Sequence, residues 1–234
     1  MKVRIIALTK SLIEEIDMTA EELLVYEARV SNPSNQLNNE TSDKLINFMI
    51  EKRHWSPFDM INMTIEITTS RAIAHQILRH WSIKPQEFSQ RYAEATNYEP
   101  IQLRLAGSSN RQSSTKEVSI IDIEKDNVKM HESITGHEYN LHEDYAERAL
   151  DVMKSVDSIY KEGIKLGYAK ECIRMFLPLT TSTTMYLNGS VRSWIHYLEQ
   201  RCDSHAQLEH QQSALLIKDI FKENFPNISK ALKY

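Results

Sequence analysis

Glycine is scarce in this sequence, with 5 glycines among 234 residues. Neither the G-x-G-x-x-G pattern of dinucleotide-binding folds nor a glycine-rich P-loop occurs. If the protein binds a nucleotide, we therefore expect side chains to hold its phosphate groups, and not a glycine-rich backbone loop.

Cysteine is scarcer still, since the chain has only Cys172 and Cys202. The two have no metal-type spacing and are too few for a disulfide framework, which favours a reducing compartment and a cytoplasmic location. Neither lies in a motif, so we interpret both as small buried side chains and not as nucleophiles.

The histidines do not form a metal-binding pattern. His75 and His80 are 5 residues apart, and so are His205 and His210. Two imidazoles on a zinc-binding helix need a spacing of four residues to share one face. We therefore predict no metal site.

Positive charge is not in excess, and long hydrophobic runs are missing. The 28 Lys and Arg are balanced by 32 Asp and Glu, and the net charge is -4. This balance lacks the basic surface of nucleic-acid-binding proteins, so we expect no nucleic-acid partner and interpret local arginine clusters as sites for small anions. No apolar stretch approaches the roughly 18 residues that span a bilayer, so we predict no membrane insertion.

The composition is that of a globular protein, with 41% hydrophobic and 26% charged residues. A chain of this length can bury one sizeable core, so we predict a single domain over residues 1–234. Alternating and β-branched segments predict strands at 1–10, 61–68 and 180–187. Helical spacing and capping residues predict helices at 19–30, 42–51, 70–80, 129–166, 169–175, 191–200 and 204–222.

These elements predict an α+β fold, because strands are interrupted and covered by helices without regular β-α alternation. In the long central helix we expect a buried stripe of Met153, Val156, Ile159 and Tyr160. Near the C-terminus, Trp194, Tyr197 and Leu198 have the helical spacing of core residues. Residues 81–117 lack sustained periodicity, so we predict a functional loop there, followed by an exposed insertion near 103–128.

Functional side chains are densest between residues 79 and 92, where the sequence is RHWSIKPQEFSQRY. Its two arginines can each grip a phosphate or carboxylate through paired N–H donors, and Glu87 can orient an arginine or accept from a ring N–H. By physics alone, a solvated basic loop is an equally good explanation, because charged runs usually lie on the surface.

This run resembles the signature of the flavin-dependent thymidylate synthases, which begins Arg-His-Arg and ends Glu-x-Ser-x-Arg-Tyr. The matching residues are Arg79, His80, Glu87, Ser89, Arg91 and Tyr92. Further matching blocks lie at 28–31, 54–59, 174–178, 192–196 and 201–209, with Gln76 between them. The resemblance therefore covers nearly the whole chain, and is weakest at about 103–128.

Two signature positions depart from the family. Trp81 stands where the family usually has Arg, and Lys84 stands where it usually has Ser. The missing arginine removes a charge-assisted contact, typically worth about 1.5 to 3 kcal/mol, that helps to hold the flavin in the family. Lys84 returns a positive charge nearby.

The resemblance implies an α+β subunit with a mostly antiparallel sheet covered by long helices, and a homotetramer whose active sites draw on several subunits. It implies that Arg201 is the catalytic residue, since a cation beside the pyrimidine stabilises negative charge that develops on the ring. The substrate-binding residues that it implies are Gln76, Glu87, Phe88, Ser89, Gln90, Arg91, Arg174 and Arg201, with His54 facing the folate.

For FAD, the resemblance implies a second set of residues. These are Ser31, Ser56, Asp59, Arg79, His80, Glu87, Arg192, His196 and His205. Ser89 is a tempting nucleophile, but a serine hydroxyl is inert without an adjacent base, so we assign it to binding.

The reaction that the family implies is reductive methylation of dUMP to dTMP, with FAD as cofactor and NADPH and methylenetetrahydrofolate as co-substrates. Two alternatives stay open. One is a related flavin-dependent C5 hydroxymethylation or other modification of dUMP or dCMP, and the other is a non-catalytic nucleotide-binding homologue.

Overall fold

The computed structural model describes residues 1–14, 16–95, 97–108 and 113–234. Its strands are β1 (Lys2–Leu8), β2 (Asn62–Ser70), β3 (Lys84–Glu87), β4 (Ile101–Ala106), β5 (Ser114–Asp122), β6 (Asn127–Met130) and β7 (Ser182–Ser190). Its α-helices are α1 (Ala20–Ala28), α2 (Ser42–Glu51), α3 (Arg71–Ile77), α4 (Gly136–Lys165), α5 (Lys170–Ile173), α6 (Val191–Arg201), α7 (Leu208–Asn224) and α8 (Pro226–Leu232). Single 3₁₀ turns lie at Pro33–Asn35, Ser56–Asp59 and Arg174–Phe176.

The strands form two sheets, one with the order β1-β2-β7-β3 and one with the order β4-β5-β6. The smaller sheet is antiparallel throughout. In the larger one, Asn188 bonds to Thr64 at 2.8 Å and Thr184 to Thr68 at 2.9 Å, so β2 and β7 run in opposite directions. The predicted α+β class with antiparallel sheets is confirmed.

The chain divides into two compact units. The first unit contains Met1, Thr68–His75 and Glu87–Thr184, and the second contains Lys2–Ile67, Gln76–Gln86 and Met185–Tyr234. Strands β2, β3 and β7 each contribute residues to both units.

The core of the second unit is built on the alternation of β2. Ile61, Met63, Ile65 and Ile67 are completely buried, as their period of two predicts. Full burial of each such side chain stabilises the fold by about 1.5 to 3 kcal/mol. The backbone carbonyl of Met63 also accepts a 3.0 Å hydrogen bond from the buried indole of Trp194, which attaches α6 to this strand.

The helices of the second unit follow the sequence signals closely. Helix α1 begins at a capping box, in which the Thr19 hydroxyl accepts from the Glu22 N–H and the Glu22 carboxylate accepts from the Thr19 N–H. Helix α2 has its predicted bounds, and α6 packs against α7. Helix α8 was not predicted, although Pro226 at its first turn is a typical helix start.

In the first unit, helix α4 packs on the small sheet, where Ile121, Ala146 and Leu150 form a buried cluster. The predicted stripe of α4 is wrong at Ile159, which is 52% exposed, whereas Tyr160 is buried. The stripe runs instead through Ala146, Leu150 and Tyr160. The Tyr160 hydroxyl accepts a hydrogen bond from the Ala95 N–H at 3.2 Å, so it also holds the segment that precedes β4.

The region predicted as loop and insertion contains regular structure. Strands β3, β4 and the start of β5 lie within 81–117, and β6 takes the first residues of the helix predicted at 129–166. The period-2 alternation of β4 was the missed signal, because Ile101, Leu103 and Leu105 are separated by Gln102 and Arg104. Part of the predicted insertion, residues 109–112, lies outside the described residues.

The predicted burial of both cysteines is wrong for Cys172. Its side chain is exposed, and that of Cys202 is half-buried. Cys172 lies in α5, a helix of 4 residues whose buried position is taken by Ile173. Partial burial raises the pKa of the Cys202 thiol, which makes it a poor nucleophile near neutral pH.

Candidate active site

The first unit holds the end of the signature, and Glu87 is fixed there at the end of β3. The Thr183 hydroxyl donates to Glu87 Oε1 at 3.0 Å, and the Arg71 guanidinium lies 3.4 Å from the same oxygen. Both charged side chains are 22% exposed, so this ion pair is only partly screened by water. The carboxylate of Glu87 is therefore held in a defined orientation before any ligand binds.

The residues after Glu87 form a tight turn around Ser89. The Phe88 N–H donates to the carbonyl of Thr184 at 2.9 Å, which continues the pairing of β3 with β7. The Ser89 carbonyl accepts from the N–H groups of Tyr92 and Ala93 at 3.1 Å each. The Ser89 hydroxyl accepts from the Arg91 N–H at 3.4 Å, a contact that shapes the turn and does not activate the hydroxyl as a nucleophile.

Two predicted arginines meet at Glu171 in helix α5. Arg91 Nη2 lies 3.2 Å from the Glu171 carboxylate, and Arg174 Nε donates to the Glu171 backbone carbonyl at 3.4 Å. Gln90 lies next to Arg91, and its Nε2 is buried with no hydrogen-bond partner among the described residues. Two guanidinium groups and an unpartnered buried amide donor are the groups that a phosphate needs.

In the second unit, the predicted cofactor residues Asp59 and Arg192 are paired. Arg192 Nη1 lies 3.0 Å from Asp59 Oδ2, and Ser190 donates from its hydroxyl to Asp59 Oδ1 at 2.9 Å. Ser190 is also the N-cap of α6, where its oxygen accepts from the Ser193 N–H. The start of α6 and the 3₁₀ turn at Ser56–Asp59 are thereby held together.

Arg201 ends helix α6 and binds His80. Its Nε donates to His80 Nε2 at 2.8 Å, and because arginine can only donate, this imidazole nitrogen is unprotonated. His80 is buried, and burial together with the charge of Arg201 lowers its pKa to about 4. His80 is therefore neutral near pH 7, and Arg201 is held in one orientation by a buried acceptor.

A second buried histidine, His210, lies 6.4 Å from His80, measured between ring centroids. It begins the buried face of α7, and its Nε2 is 3.1 Å from the hydroxyl of Tyr197. Its Nδ1 is 3.2 Å from Oε1 of Gln76. Gln76, a predicted base-contacting residue, is thus joined to a buried polar network beneath it.

Ser31 and Ser56 border two open cavities in the second unit that share Ala28. The cavity at Ser56 has a volume of about 470 Å³ and is lined by Tyr26, Glu27, Ala28, Val30, Gln36, Ser56, Pro57 and Met60. The cavity at Ser31 has a volume of about 460 Å³ and is more polar, with Arg29, Asn32 and Lys44 among its lining residues.

The remaining predicted residues are exposed, and three of them contact neighbours outside the predicted set. The ring of His54 packs edge-on against Phe48 at 5.6 Å, and His205 pairs with Asp203 at 2.6 Å. His196 Nε2 lies 3.0 Å from Gln200 Nε2, one turn further along α6. Arg79 is exposed at the end of the segment that follows α3.

The two departures from the signature lie side by side. The side chain of Trp81 is 83% exposed, and Lys84 Nζ donates to the Trp81 backbone carbonyl at 2.9 Å. A cation is therefore kept next to position 81, where the family usually has arginine.

Several residues of these networks were not identified from the sequence. Arg71, Thr183 and Glu171 have no local signature, because their partners are distant in the chain. His210 did have a signal, since it shares the spacing of Ala214 and Ile217 on the apolar face of α7. Tyr197 was correctly predicted as core, but the role of its hydroxyl was missed.

Two features are absent from the part of the chain that the structure describes. There, no group of three or more His, Cys, Asp or Glu side chains is placed to hold a metal ion. No helix in the same residues combines the length and apolarity that crossing a bilayer requires.

Comparison with known proteins gives one consistent match. The model of the family described as "Thymidylate synthase complementing protein" matches residues 11–227. A "Flavin-dependent thymidylate synthase" from Synechocystis sp. is 42% identical over 236 residues, covering 100% of both chains. A "Probable flavin-dependent thymidylate synthase" of Paramecium bursaria Chlorella virus 1 is 41% identical over 100% of both chains, and a relative from Kosmotoga olearia is 30% identical over 94% of this chain and 88% of its own.

Proposed function

The chain belongs to the flavin-dependent thymidylate synthase family, and from this premise we propose that it catalyses reductive methylation of dUMP to dTMP. In this proposal FAD is the cofactor, and NADPH and methylenetetrahydrofolate are co-substrates. The observation that carries the proposal is the 2.8 Å hydrogen bond from Arg201 to the buried His80, whose ring lies 6.4 Å from that of His210, the residue that contacts Gln76.

Arg201 is the catalytic residue of the proposal. As negative charge develops on the pyrimidine ring, a guanidinium that is already oriented stabilises it without reorganisation. Neutral His80 supports this role, because its Nε2 accepts from Arg201 Nε and leaves the terminal nitrogens of the guanidinium for the ligand. A protonated His80 would instead repel Arg201, and the low pKa of His80, about 4, prevents this near pH 7.

We assign the phosphate of dUMP to the turn of residues 87–91 together with Arg174. Arg91 and Arg174 provide guanidinium donors next to Glu171, and Gln90 provides a buried amide N–H. Phe88 and Ser89 provide the backbone of the turn, and Glu87 orients it through Thr183. This arrangement uses side chains to hold phosphate, as the scarcity of glycine predicts.

We assign FAD to the residues that the family resemblance implies, of which Glu87 belongs to the first unit and the others to the second. They are Ser31, Ser56, Asp59, Arg79, His80, Arg192, His196 and His205. Their chemistry suits the group, since the set has hydroxyl and imidazole groups for the ring and ribityl hydroxyls and two arginines for the pyrophosphate. Bound FAD would supply the redox chemistry of the reaction, and the chain supplies orientation and positive charge.

His54 is assigned to the folate, and a homotetramer is part of the proposal. In the family, active sites draw residues from several subunits. Assembly as a homotetramer would thus bring residues of several subunits into each active site.

The direct test is product analysis. Purified protein is incubated with dUMP, methylenetetrahydrofolate, NADPH and FAD, and the nucleotide product is identified by mass. We expect dTMP. A 5-hydroxymethyl product would instead support the alternative that Trp81 and Lys84 leave open, and a colourless protein that does not take up FAD would refute a flavin enzyme.

The role of Arg201 is tested by Arg201→Ala. We expect turnover to fall by about 10²- to 10³-fold, as for the loss of one preorganised group that stabilises charge. Arg148→Ala is the matched control, because it removes an exposed arginine, 71% accessible, on α4. Both variants should elute like the wild type in size-exclusion chromatography, and normal turnover of Arg201→Ala would refute its catalytic role.

A further inference from the structure

A chain of four hydrogen bonds in the second unit runs from Tyr197 to Glu209. Tyr197 contacts His210 at 3.1 Å, His210 contacts Gln76 at 3.2 Å, and Gln76 contacts Gln207 at 2.6 Å. The last bond joins Gln207 Nε2 to Glu209 Oε2 at 2.9 Å. We call this chain the Gln76 relay.

The carboxylate of Glu209 fixes the direction of the whole relay, because a carboxylate only accepts. Gln207 must therefore turn its amino group to Glu209 and its carbonyl oxygen to Gln76. Gln76 must then donate to Gln207, which leaves its own carbonyl oxygen to accept from His210 Nδ1. With the proton on Nδ1, His210 Nε2 is an acceptor, and the Tyr197 hydroxyl donates to it.

The relay requires a neutral His210, and its surroundings keep it neutral. The residue is completely buried, and burial lowers its pKa to about 3, with the charges of Arg201 and His80 acting in the same direction. Burial also raises the pKa of the Tyr197 hydroxyl, so this group stays protonated and can donate. Each buried polar atom thus has the protonation state that its place in the relay needs.

The orientation of Gln76 decides which groups it can offer to a ligand. Its carbonyl oxygen points to His210, so the end of the amide at Gln207 is the amino group, which can donate a second N–H beside the one to Gln207. Arg201, the other proposed base-contacting residue, also only donates. Together they suit a base edge that carries acceptors.

We propose that His210, held by Tyr197, is a positioning residue whose bond to the Gln76 carbonyl oxygen holds the amide in the direction that Glu209 sets, and thereby makes the enzyme prefer uracil to cytosine. This inference rests on the proposed function, in which Gln76 contacts the base. Uracil carries a carbonyl oxygen at C4, where cytosine carries an amino group. A fixed N–H donor can hydrogen-bond to the carbonyl oxygen of uracil, but it faces another donor in the amino group of cytosine. An amide that rotates freely can bond to either base.

The test compares the affinities of dUMP and dCMP. Each nucleotide is titrated by calorimetry into purified protein supplemented with FAD, and the ratio of the two dissociation constants is recorded. The variants are His210→Phe, which keeps a ring but removes both nitrogens, and Tyr197→Phe, which removes the hydroxyl that holds His210 at Nε2. His210→Asn is the conservative variant, since its amide N–H lies near the position of Nδ1.

We expect His210→Phe to weaken dUMP binding by about threefold to tenfold, the net worth of one neutral hydrogen bond, without weakening dCMP binding. The preference for dUMP over dCMP should therefore fall by that factor in His210→Phe. It should fall less in Tyr197→Phe, and His210→Asn should restore it. Ile217→Val is the matched control, because it removes one buried methyl group from the same face of α7 and leaves the relay intact.

An unchanged preference in His210→Phe and Tyr197→Phe would overturn the inference, as would an equal change in Ile217→Val. If His210→Phe does not fold, Tyr197→Phe and His210→Asn decide the question. Wild-type protein that does not bind dUMP would overturn the proposed function and the inference with it. Wild-type protein that binds dUMP while the variants keep its preference would overturn the inference alone.

Discussion

The buried, neutral state of His210 makes the stability of the protein depend on pH in a way that can be calculated. In the unfolded chain a histidine has a pKa of about 6.5, whereas burial lowers the pKa of folded His210 to about 3. Between these values the unfolded chain binds a proton that the folded protein does not. The contribution of neutral His210 to stability is therefore complete above the pKa of histidine in the unfolded chain. It is lost as the pH falls toward the pKa of His210 in the folded protein.

The size of this loss follows from linkage between proton binding and unfolding. Lowering the pH from 7 to 5 should cost about 2 kcal/mol through His210 alone, because each pH unit below the unfolded pKa costs about 1.4 kcal/mol. His80, with a folded pKa of about 4, shifts stability in the same direction. The wild type and the His210 variants both contain His80. The difference between their losses of stability therefore reports the contribution of His210.

The assay is equilibrium unfolding in urea at pH 7 and pH 5, at one fixed protein concentration because self-association would add to stability. The wild type should lose about 2 kcal/mol more than His210→Phe over this interval. Ile217→Val should lose as much as the wild type, which controls for a weakened core. An equal loss in the wild type and His210→Phe would refute the claim that His210 is buried in its neutral form.

Two further predictions concern Glu171 and Glu21. Glu171→Gln removes the carboxylate that competes with phosphate for Arg91, so dUMP should bind about twofold to fourfold more tightly in a calorimetric titration, the worth of an exposed ion pair. Deoxyuridine, which lacks the phosphate, should bind as before, and equal tightening of both ligands would contradict this explanation. Glu21→Ala leaves three N–H donors at the start of α8, two on Asn227 and one on Ile228, without their acceptor, so urea unfolding should show a loss of about 2 to 3 kcal/mol. Glu21→Gln keeps one acceptor oxygen and should lose less, and equal stability of Glu21→Ala and the wild type would contradict the capping role.

Short sequence patterns correctly predicted the elements that bury one face or begin at a capping motif. The four buried positions of β2 and the capping box of α1 are both properties of a few consecutive residues, and both are present. The small sheet was missed because its residues are partly exposed: β4 does alternate, but it was read with the polar residues around it as a loop and an insertion. In α4, apolar residues lie on more than one face, since Leu141, Val152 and Ile159 are exposed, so the pattern alone did not place the buried stripe correctly.

The candidate site could be predicted only as a set of residues. The family resemblance identified Arg91, Arg174 and Arg201, yet nothing in the local sequence showed which partners hold them. Arg91 meets Glu171, 80 positions away, and Arg201 meets His80, 121 positions away. Such pairs are made by the tertiary fold, and the donor and acceptor roles follow only once the atoms are placed.

The one-way order of the hydrogen bonds through Gln76 also bears on how this enzyme could evolve. The direction of the whole series depends on its last member, an acid that is not itself among the residues assigned to the nucleotide. Replacement of Glu209 by a side chain that donates would let both amides turn over, and Gln76 would then offer oxygen in place of nitrogen. The choice between two pyrimidines could thus change through a single substitution outside the residues assigned to the nucleotide.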